Sequence, residues 1–596
     1  MKNFKSIILP IFLNLALILY IYQGVFLLEL QGDTWQYAWA YIIAYGDTLF
    51  NQDGWRNLQS SLAGSSLTFA LIKDFFGLSA IAYYSISVML KFLTVVTFYF
   101  LAKKLTSSIL VSLVASLLLS ASSAGVEATH WVFNMYAYIG LIFITLSILT
   151  GLDLPEKFTF KKWLMSFAFA CVGVWYATMR TNGIIPLIIA WSFYKFIILR
   201  SKRSKINLIF WIVGFAVFIL MDKFLLGQME TDYSQTHIIG AGIHAFQTQV
   251  VSGKYDFILS PASNVGLVIL PDMTWSSFNF PKIFSFLGSK PLSTIFLPSF
   301  LIFSFFSWVL ASVFPKKKRI LVFALGLFWT IIVFFVSQLG PLNFSSWLSL
   351  VLTLFGGYFM CVCLFLITIK ELPSNLKTLF FLSFLWSVVF LLLPEFQNGG
   401  SIFSTNHRYL ATTAPAVALF MAGLIKISYS YKNNFFRVLI LLVSFFMIFA
   451  HAAQTKAFFD RKAIVHNREL AAKIWQQFTQ IVPNKPQYMK NDDPRVDLIG
   501  NGRAPTLWFE SAANLVDRET LFETLYFGFL FRASLKYGWY VHAGTGLYYE
   551  NYNDLVKDIK KNPQLLDDFY ALRMENQSLV DITKEAKLKI NMDIQK

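Results

Sequence analysis

Ile7-Ile8-Leu9-Pro10-Ile11-Phe12-Leu13 opens an apolar run that reaches Leu28, and Glu29-Leu30-Gln31-Gly32-Asp33-Thr34-Trp35-Gln36-Tyr37-Ala38-Trp39 follows it directly. About twenty apolar residues in a row suffice to cross a bilayer as a helix. Lys2 and Lys5 precede the run as they would in a signal peptide. The run is too long for one and has no small-residue cleavage site, so it reads as a retained first span. Its end delivers Asp33 to a membrane surface. Trp35, Trp39, Ile42 and Ile43 then fall at i, i+4, i+7 and i+8, which predicts an amphipathic helix lying in the headgroup layer. A carboxylate held over a bilayer suits an enzyme that acts on a lipid. Asp33 and Gln36 also have the spacing of a capping box, so an N-cap with no further role is the competing reading.

The rest of the chain agrees with a membrane fold. Of its 596 residues 56% are hydrophobic and 14% charged, and the mean hydropathy is +0.56. This composition excludes an ordinary soluble globule and predicts a polytopic α-helical membrane protein. The net charge of +17 comes from short basic clusters between apolar runs, where it signals topology, and it implies no nucleic-acid partner. The three cysteines, Cys171, Cys361 and Cys363, all lie in apolar runs and supply no disulfide framework.

A sliding window predicts about thirteen spans. They fall near residues 7–29, 79–101, 107–124, 131–150, 164–180, 183–199, 207–226, 292–313, 320–338, 346–369, 377–394, 409–426 and 436–453. Basic clusters occupy alternate loops: Lys103-Lys104, Lys161-Lys162, Arg200 to Lys205, Lys316 to Arg319, Lys370 with Lys377, and Lys426 with Arg437. The positive-inside rule then puts the N-terminus in the cytoplasm, and an odd span count puts the C-terminus outside. Residues 1–453 are thus expected to form the membrane domain, with outer loops 30–78 and 227–291. Residues 454–596 turn charged and mixed, and are expected to form an extracytoplasmic α/β domain with its own core.

The candidate chemistry gathers at the outer ends. Asp33, Asp47 and Asp53 share the first outer loop, with Arg56 and Lys73 behind them. Gly125-Val126-Glu127-Ala128-Thr129-His130-Trp131 places Glu127 and His130 at i, i+3, near each other on one helical face at the mouth of the bundle. Arg180 and Arg408 stand at outer span ends, where Arg is uncommon, and a guanidinium binds phosphate oxygens in bidentate fashion. A wet turn for Glu127 and His130, and snorkelling or loop salt bridges for the arginines, are the plainer readings. His237 and His244 lie seven apart in the second outer loop, where lone histidines are usually just loop. No Gly-x-x-x-x-Gly-Lys-Ser/Thr phosphate loop and no Asp-x-Asp occurs. That disfavours ATP-driven transport and a metal-gripped nucleotide-sugar, and favours a donor carried on a lipid phosphate.

Taken together, Gly32-Asp33 after the first span, Val126-Glu127-Ala128 before Trp131, Arg180-Thr181-Asn182-Gly183-Ile184 before Pro186, and Arg408-Tyr409-Leu410 before Pro415 resemble the GT-C superfamily of integral membrane glycosyltransferases. The likeness is to its protein O-mannosyltransferase and lipid A aminoarabinose transferase branch, and covers roughly residues 1–453. The resemblance implies inverting transfer of one sugar from a polyprenyl-phosphate donor to a hydroxyl of a lipid, glycan or protein acceptor at the outer face of the plasma membrane. By match to the motif Asp33 would be the general base or orient the acceptor. Thr34 stands where the family usually has a second acid, so Asp47, Glu127 and His130 are candidates for that role, and a divalent ion (Mg or Mn) is left open. Arg408, with His407 and Tyr409 beside it, and Arg180 would hold the donor phosphate. Trp35, His237 and His244 would serve the acceptor or a lid formed by residues 227–291. A transporter or flippase of lipid-linked saccharides, a polysaccharide polymerase or ligase, and a cell-envelope scaffold are the competing classes.

Overall fold

The computed structural model describes residues 2–31, 34, 35, 38, 63–176, 181–226, 235–253, 256–277, 297–312, 314, 316–339, 347–397, 401–430, 434–483, 505–526, 532 and 548–595. Each stretch expected as a span holds a helix. Among the described residues, seven helices are long and apolar enough to cross a membrane: Ala80–Thr106, Val132–Gly151, Lys202–Met221, Lys318–Val336, Leu348–Thr368, Ser374–Leu392 and Asn434–Val465. Shorter apolar helices, among them Ile7–Ile21, Ile109–Ala121, Ile184–Leu199 and Ala414–Tyr429, pack between them.

Two expected boundaries move. The stretch taken as an outer loop at 227–291 contains helix Asp256–Ile269, which is built into the bundle against Trp347–Thr368. It escapes a nineteen-residue window because it is short and Pro261 interrupts it. Its contact face is made of small residues. A Cβ on Gly356 would overlap the Ala262 carbonyl, and one on Gly266 would overlap that of Leu352, so backbones touch where side chains normally would. The last span also runs on as one helix from Asn434 to Val465, rather than ending near 453. Its 32 residues extend about 48 Å at 1.5 Å each, well beyond a hydrocarbon core of about 30 Å. The overhang carries Gln454, Lys456, Asp460, Arg461 and Lys462, polar yet compatible with helix, and it forms the stem of the C-terminal domain.

That domain is an α/β layer structure, as expected. Its four-stranded sheet has the order β2-β1-β3-β4: β1 (Thr506–Glu510) lies parallel to β2 (Tyr548–Tyr549) and to β3 (Phe569–Glu575), and β4 (Ser578–Asp581) is antiparallel to β3. Side chains alternate across it. Leu507, Phe509, Leu572 and Met574 bury against helix Arg468–Ile481, whereas Trp508, Phe569 and Ala571 bury against helices Tyr552–Lys561 and Thr583–Gln595. The β3–β4 turn puts Asn576 and Gln577 at φ +50° and +57°. Both of their N–H groups donate to the buried Asp517 carboxylate at 2.9 Å, which offsets the strain.

Candidate functional site

The Glu127 turn and the segment 401–412 clasp each other. Gly125 sits at φ +77°, and a Cβ there would run into Ala411, so glycine alone lets the two backbones meet. Gly125 N–H donates to Thr405 O at 2.9 Å and Glu127 N–H to Asn406 O at 3.0 Å. In return, the Glu127 carboxylate accepts the Arg408 N–H at 3.3 Å across 281 positions of chain. Tyr409 N–H donates to His407 Nδ1 at 3.3 Å, so His407 caps the short turn Arg408–Thr412. The His407 ring is also stacked on Phe403 at 4.3 Å. Asn264, on the helix missed by the span window, holds the segment from beneath through Ser401 O and Phe403 N–H.

Arg408 projects from this clasp between aromatic faces, its guanidinium carbon 4.8 Å from the Trp131 ring centre and 5.5 Å from that of Tyr409. Cation–π attraction of this kind holds a guanidinium in place while leaving its N–H groups able to meet an anion. Asp272, half-buried at the start of helix Asp272–Ser277, is joined to the same 401–412 segment through Thr405. Its N–H donates to Thr405 Oγ1 at 3.0 Å, and its carboxylate accepts from Gln454 Nε2 at 2.9 Å. Sequence reasoning passed over Asp272 because it lay in the presumed outer loop, although a Pro-Asp pair opening a helix is a readable signal. His451 lies one turn below Gln454. Ser123 N–H donates to its Nδ1 at 3.3 Å, so Nε2 carries the proton and donates to Val268 O at 3.1 Å. This histidine ties helices Ile109–Ala121, Asp256–Ile269 and Asn434–Val465 together, and an ionisable residue inside a predicted span should have flagged it.

Glu127 and His130 do not act as a pair. The carboxylate turns to Arg408, whereas His130 is 1% exposed and packs edge-on against Phe458 at 5.3 Å, with His466 at 6.5 Å. Burial first, and then the charges near it at Lys462 and His466, hold the His130 pKa well below the ordinary imidazole value. Burial and Lys462 push His466 down to about 3. Both rings are therefore neutral at physiological pH, and neither adds a cation for phosphate.

Trp35 also departs from expectation. It is 9% exposed, with Nε1 donating to Leu30 O at 2.7 Å, and its ring faces the Arg532 guanidinium at 4.7 Å instead of a headgroup layer. His244 is exposed on helix Gln235–Val251, and no described contact brings it to the clasp. The backbone of His237 belongs to the same helix. Asp33, Asp47, Asp53, Arg56, Arg180, Trp39, Ile42 and Ile43 lie outside the described residues. Among the described residues no three His, Cys, Asp or Glu side chains converge as a metal would require.

No known protein family matches the chain, and no curated protein does. Among solved structures it is similar to the Archaeoglobus fulgidus oligosaccharyltransferase in complex with zinc and sulfate, at 12% identity and a TM-score of 0.36, over 84% of this chain and 60% of that one. It is also similar to ArnT from Cupriavidus metallidurans in the apo state, at 11% identity and a TM-score of 0.33, over 97% of this chain and 94% of that one. The chain thus spans 60% of the length of the oligosaccharyltransferase. Both neighbours are members of the GT-C superfamily that the sequence motifs resemble, and with TM-scores of 0.36 and 0.33 neither likeness bears on what this chain does.

Proposed function

We propose that this chain is an inverting glycosyltransferase that takes a sugar from a polyprenyl-phosphate donor at the outer face of the plasma membrane. In this reading the chain crosses the membrane about thirteen times, with its N-terminus in the cytoplasm and the C-terminal domain outside. The observation that carries it is the clasp itself: Arg408, held between Trp131 and Tyr409 with its own N–H on Glu127, is a preorganised cation at one end of an apolar bundle. Asp33 takes the proton as the acceptor oxygen bonds to the anomeric carbon. The bond from that carbon to the phosphate oxygen breaks on the opposite face, and the electron pair leaves with the polyprenyl phosphate. Arg408, with Arg180, meets the charge that develops there. Glu127 orients Arg408 through the backbone, and Asp272, joined to the same segment through Thr405, is a second described acid for orienting the acceptor or contributing to a divalent-ion site.

The test uses full-length protein in nanodiscs, radiolabelled polyprenyl-phosphate sugars, membrane extract as acceptor, and Asp33→Asn beside the native chain. Release of polyprenyl phosphate by the native protein, lost in Asp33→Asn while donor still binds, is the expected result. Donor binding with no release by either protein would sink the proposal. A second reading, a carrier of lipid-linked saccharides, is favoured by Lys91. This residue is 4% exposed within helix Ala80–Thr106, its ammonium 5.6 Å from the Tyr138 ring, and ionisable groups inside a span are typical of transport paths. Donor crossing proteoliposomes without phosphate release, and ceasing in Lys91→Met, would establish that reading instead.

A further inference from the structure

The start of the first outer loop is fastened to the C-terminal domain. Leu28 bridges to Asn467, and Glu29 N–H donates to His466 O at 3.2 Å. On the stem, Lys462 pairs with Glu523, and Arg461 grips Glu519 in bidentate fashion at 2.9 and 2.7 Å. The loop is also tied to itself. Thr34 N–H donates to Gln31 O at 3.2 Å and Trp35 Nε1 to Leu30 O at 2.7 Å, which ties Thr34 and Trp35 back to Leu30 and Gln31. Over Trp35 lies Arg532, its guanidinium carbon 4.7 Å from that ring and 4.6 Å from the ring of Trp475. Trp475 is 2% exposed in the core of the C-terminal domain, so one side chain links that core to the loop.

Packing for stability alone would have placed an apolar side chain between the two indoles. Among the described residues, the junction instead buries Thr34 Oγ1, His130 Nε2 and Thr524 Oγ1 without hydrogen-bond partners, and desolvating such atoms opposes closure. A junction that opposes its own closure needs a clamp, and a planar guanidinium between two indoles fixes orientation as well as distance.

We propose that Arg532 is a positioning residue: held between Trp35 and Trp475, it fixes Leu30, Gln31, Thr34 and Trp35 against the C-terminal domain. Its expected effect on turnover rests on reading Asp33, a chain neighbour of Thr34, as the acid of the transfer.

The test compares full-length native protein with Arg532→Met and Arg532→Lys in nanodiscs, by hydrogen exchange and by polyprenyl phosphate release. In Arg532→Met the amides of residues 30–35 should exchange at least tenfold faster while those of β1 and β3 stay native. In the same variant kcat should fall at least tenfold with donor KM unchanged. Arg532→Lys, which keeps the charge but not the plane, should fall between. Native exchange at residues 30–35, equal acceleration throughout the C-terminal domain, or faster loop exchange with native kcat would each overturn the proposal. Loop-specific acceleration in a protein whose native form releases no phosphate would leave the clamp standing and remove the transferase reading instead.

Discussion

The two ends of the helical bundle both carry ionisable side chains and treat them in opposite ways. At the basic end, Lys104 and Lys162 share Asp153 at 3.2 and 3.1 Å, and all three side chains are between 35% and 44% exposed. Lys318 meets Glu371 at 2.7 Å, again in contact with solvent. Exposed pairs of this kind are worth about 0–1 kcal/mol each and leave the charges free to rearrange. At the other end the polar groups are held by partners from distant segments, and His130 and Gln454 are buried. Glu127 holds the Arg408 amide, Asp272 is held by Thr405 and Gln454, and His130 is sealed in as a neutral ring. Desolvated groups fixed at named atoms are costly to keep, so the two ends differ in how the fold treats their charge, which is the contrast that the proposed division between topology and chemistry requires.

The strongest way to break this comparison is to remove one charge from each end. Arg408→Ala should lower polyprenyl phosphate release about 10²–10³-fold, the usual loss when a preorganised transition-state partner is deleted. Lys104→Ala, measured in the same assay, should change it less than about twofold, since its pairs are exposed. Comparable losses from both would mean that the two ends do not divide chemistry from topology.

Next in size is the clasp. Gly125→Ala forces a side chain into Ala411 at a positive φ and should destabilise the protein by about 2–4 kcal/mol, read as a lower Tm in detergent. A native Tm would mean that the turn and segment 401–412 are not held together as described.

A pH titration sharpens the comparison further. His466, at about 3, is neutral and buried in the folded protein, whereas the unfolded chain protonates it near 6.5. The folded state binds fewer protons between these values, so this stability is complete above pH 6.5 and is lost as the pH falls toward 3. By pH 5 the loss from His466 is about 2 kcal/mol. Proteolytic release of the C-terminal domain should accelerate between pH 7 and 5, and His466→Gln should flatten that dependence. The smallest effect belongs to the basic end, where Asp153→Asn should shift stability by less than about 1 kcal/mol in the same Tm measurement.

Much of this architecture was readable because a lipid-facing helix must be apolar along its length, and among the described residues seven helices long enough to cross a membrane are. Helix Asp256–Ile269 was not, since protein rather than lipid surrounds much of it and Ala262 and Gly266 earn their place by backbone contact. The end of the last span was misplaced for a related reason: residues 454–465 are polar because they grip Glu519 and Glu523, not because the helix has stopped. At the site, Glu127 and Arg408 could be picked out as ionisable groups at span ends, but their meeting could not. Asp272 and Arg532 carried no comparable local signal, one within a presumed loop and the other within a mixed tail.

The sequence by itself determined the apolar helical bundle and the change to a mixed α/β tail, since hydropathy and charge placement act over neighbouring residues. Tertiary structure alone decided that Glu127 serves Arg408 and not His130, that Trp35 faces a guanidinium and not a headgroup layer, and that the C-terminal domain reaches the first loop. Those pairings join residues as far apart as 281 positions, and the desolvation and steric fit that select them exist only once distant backbones have come together.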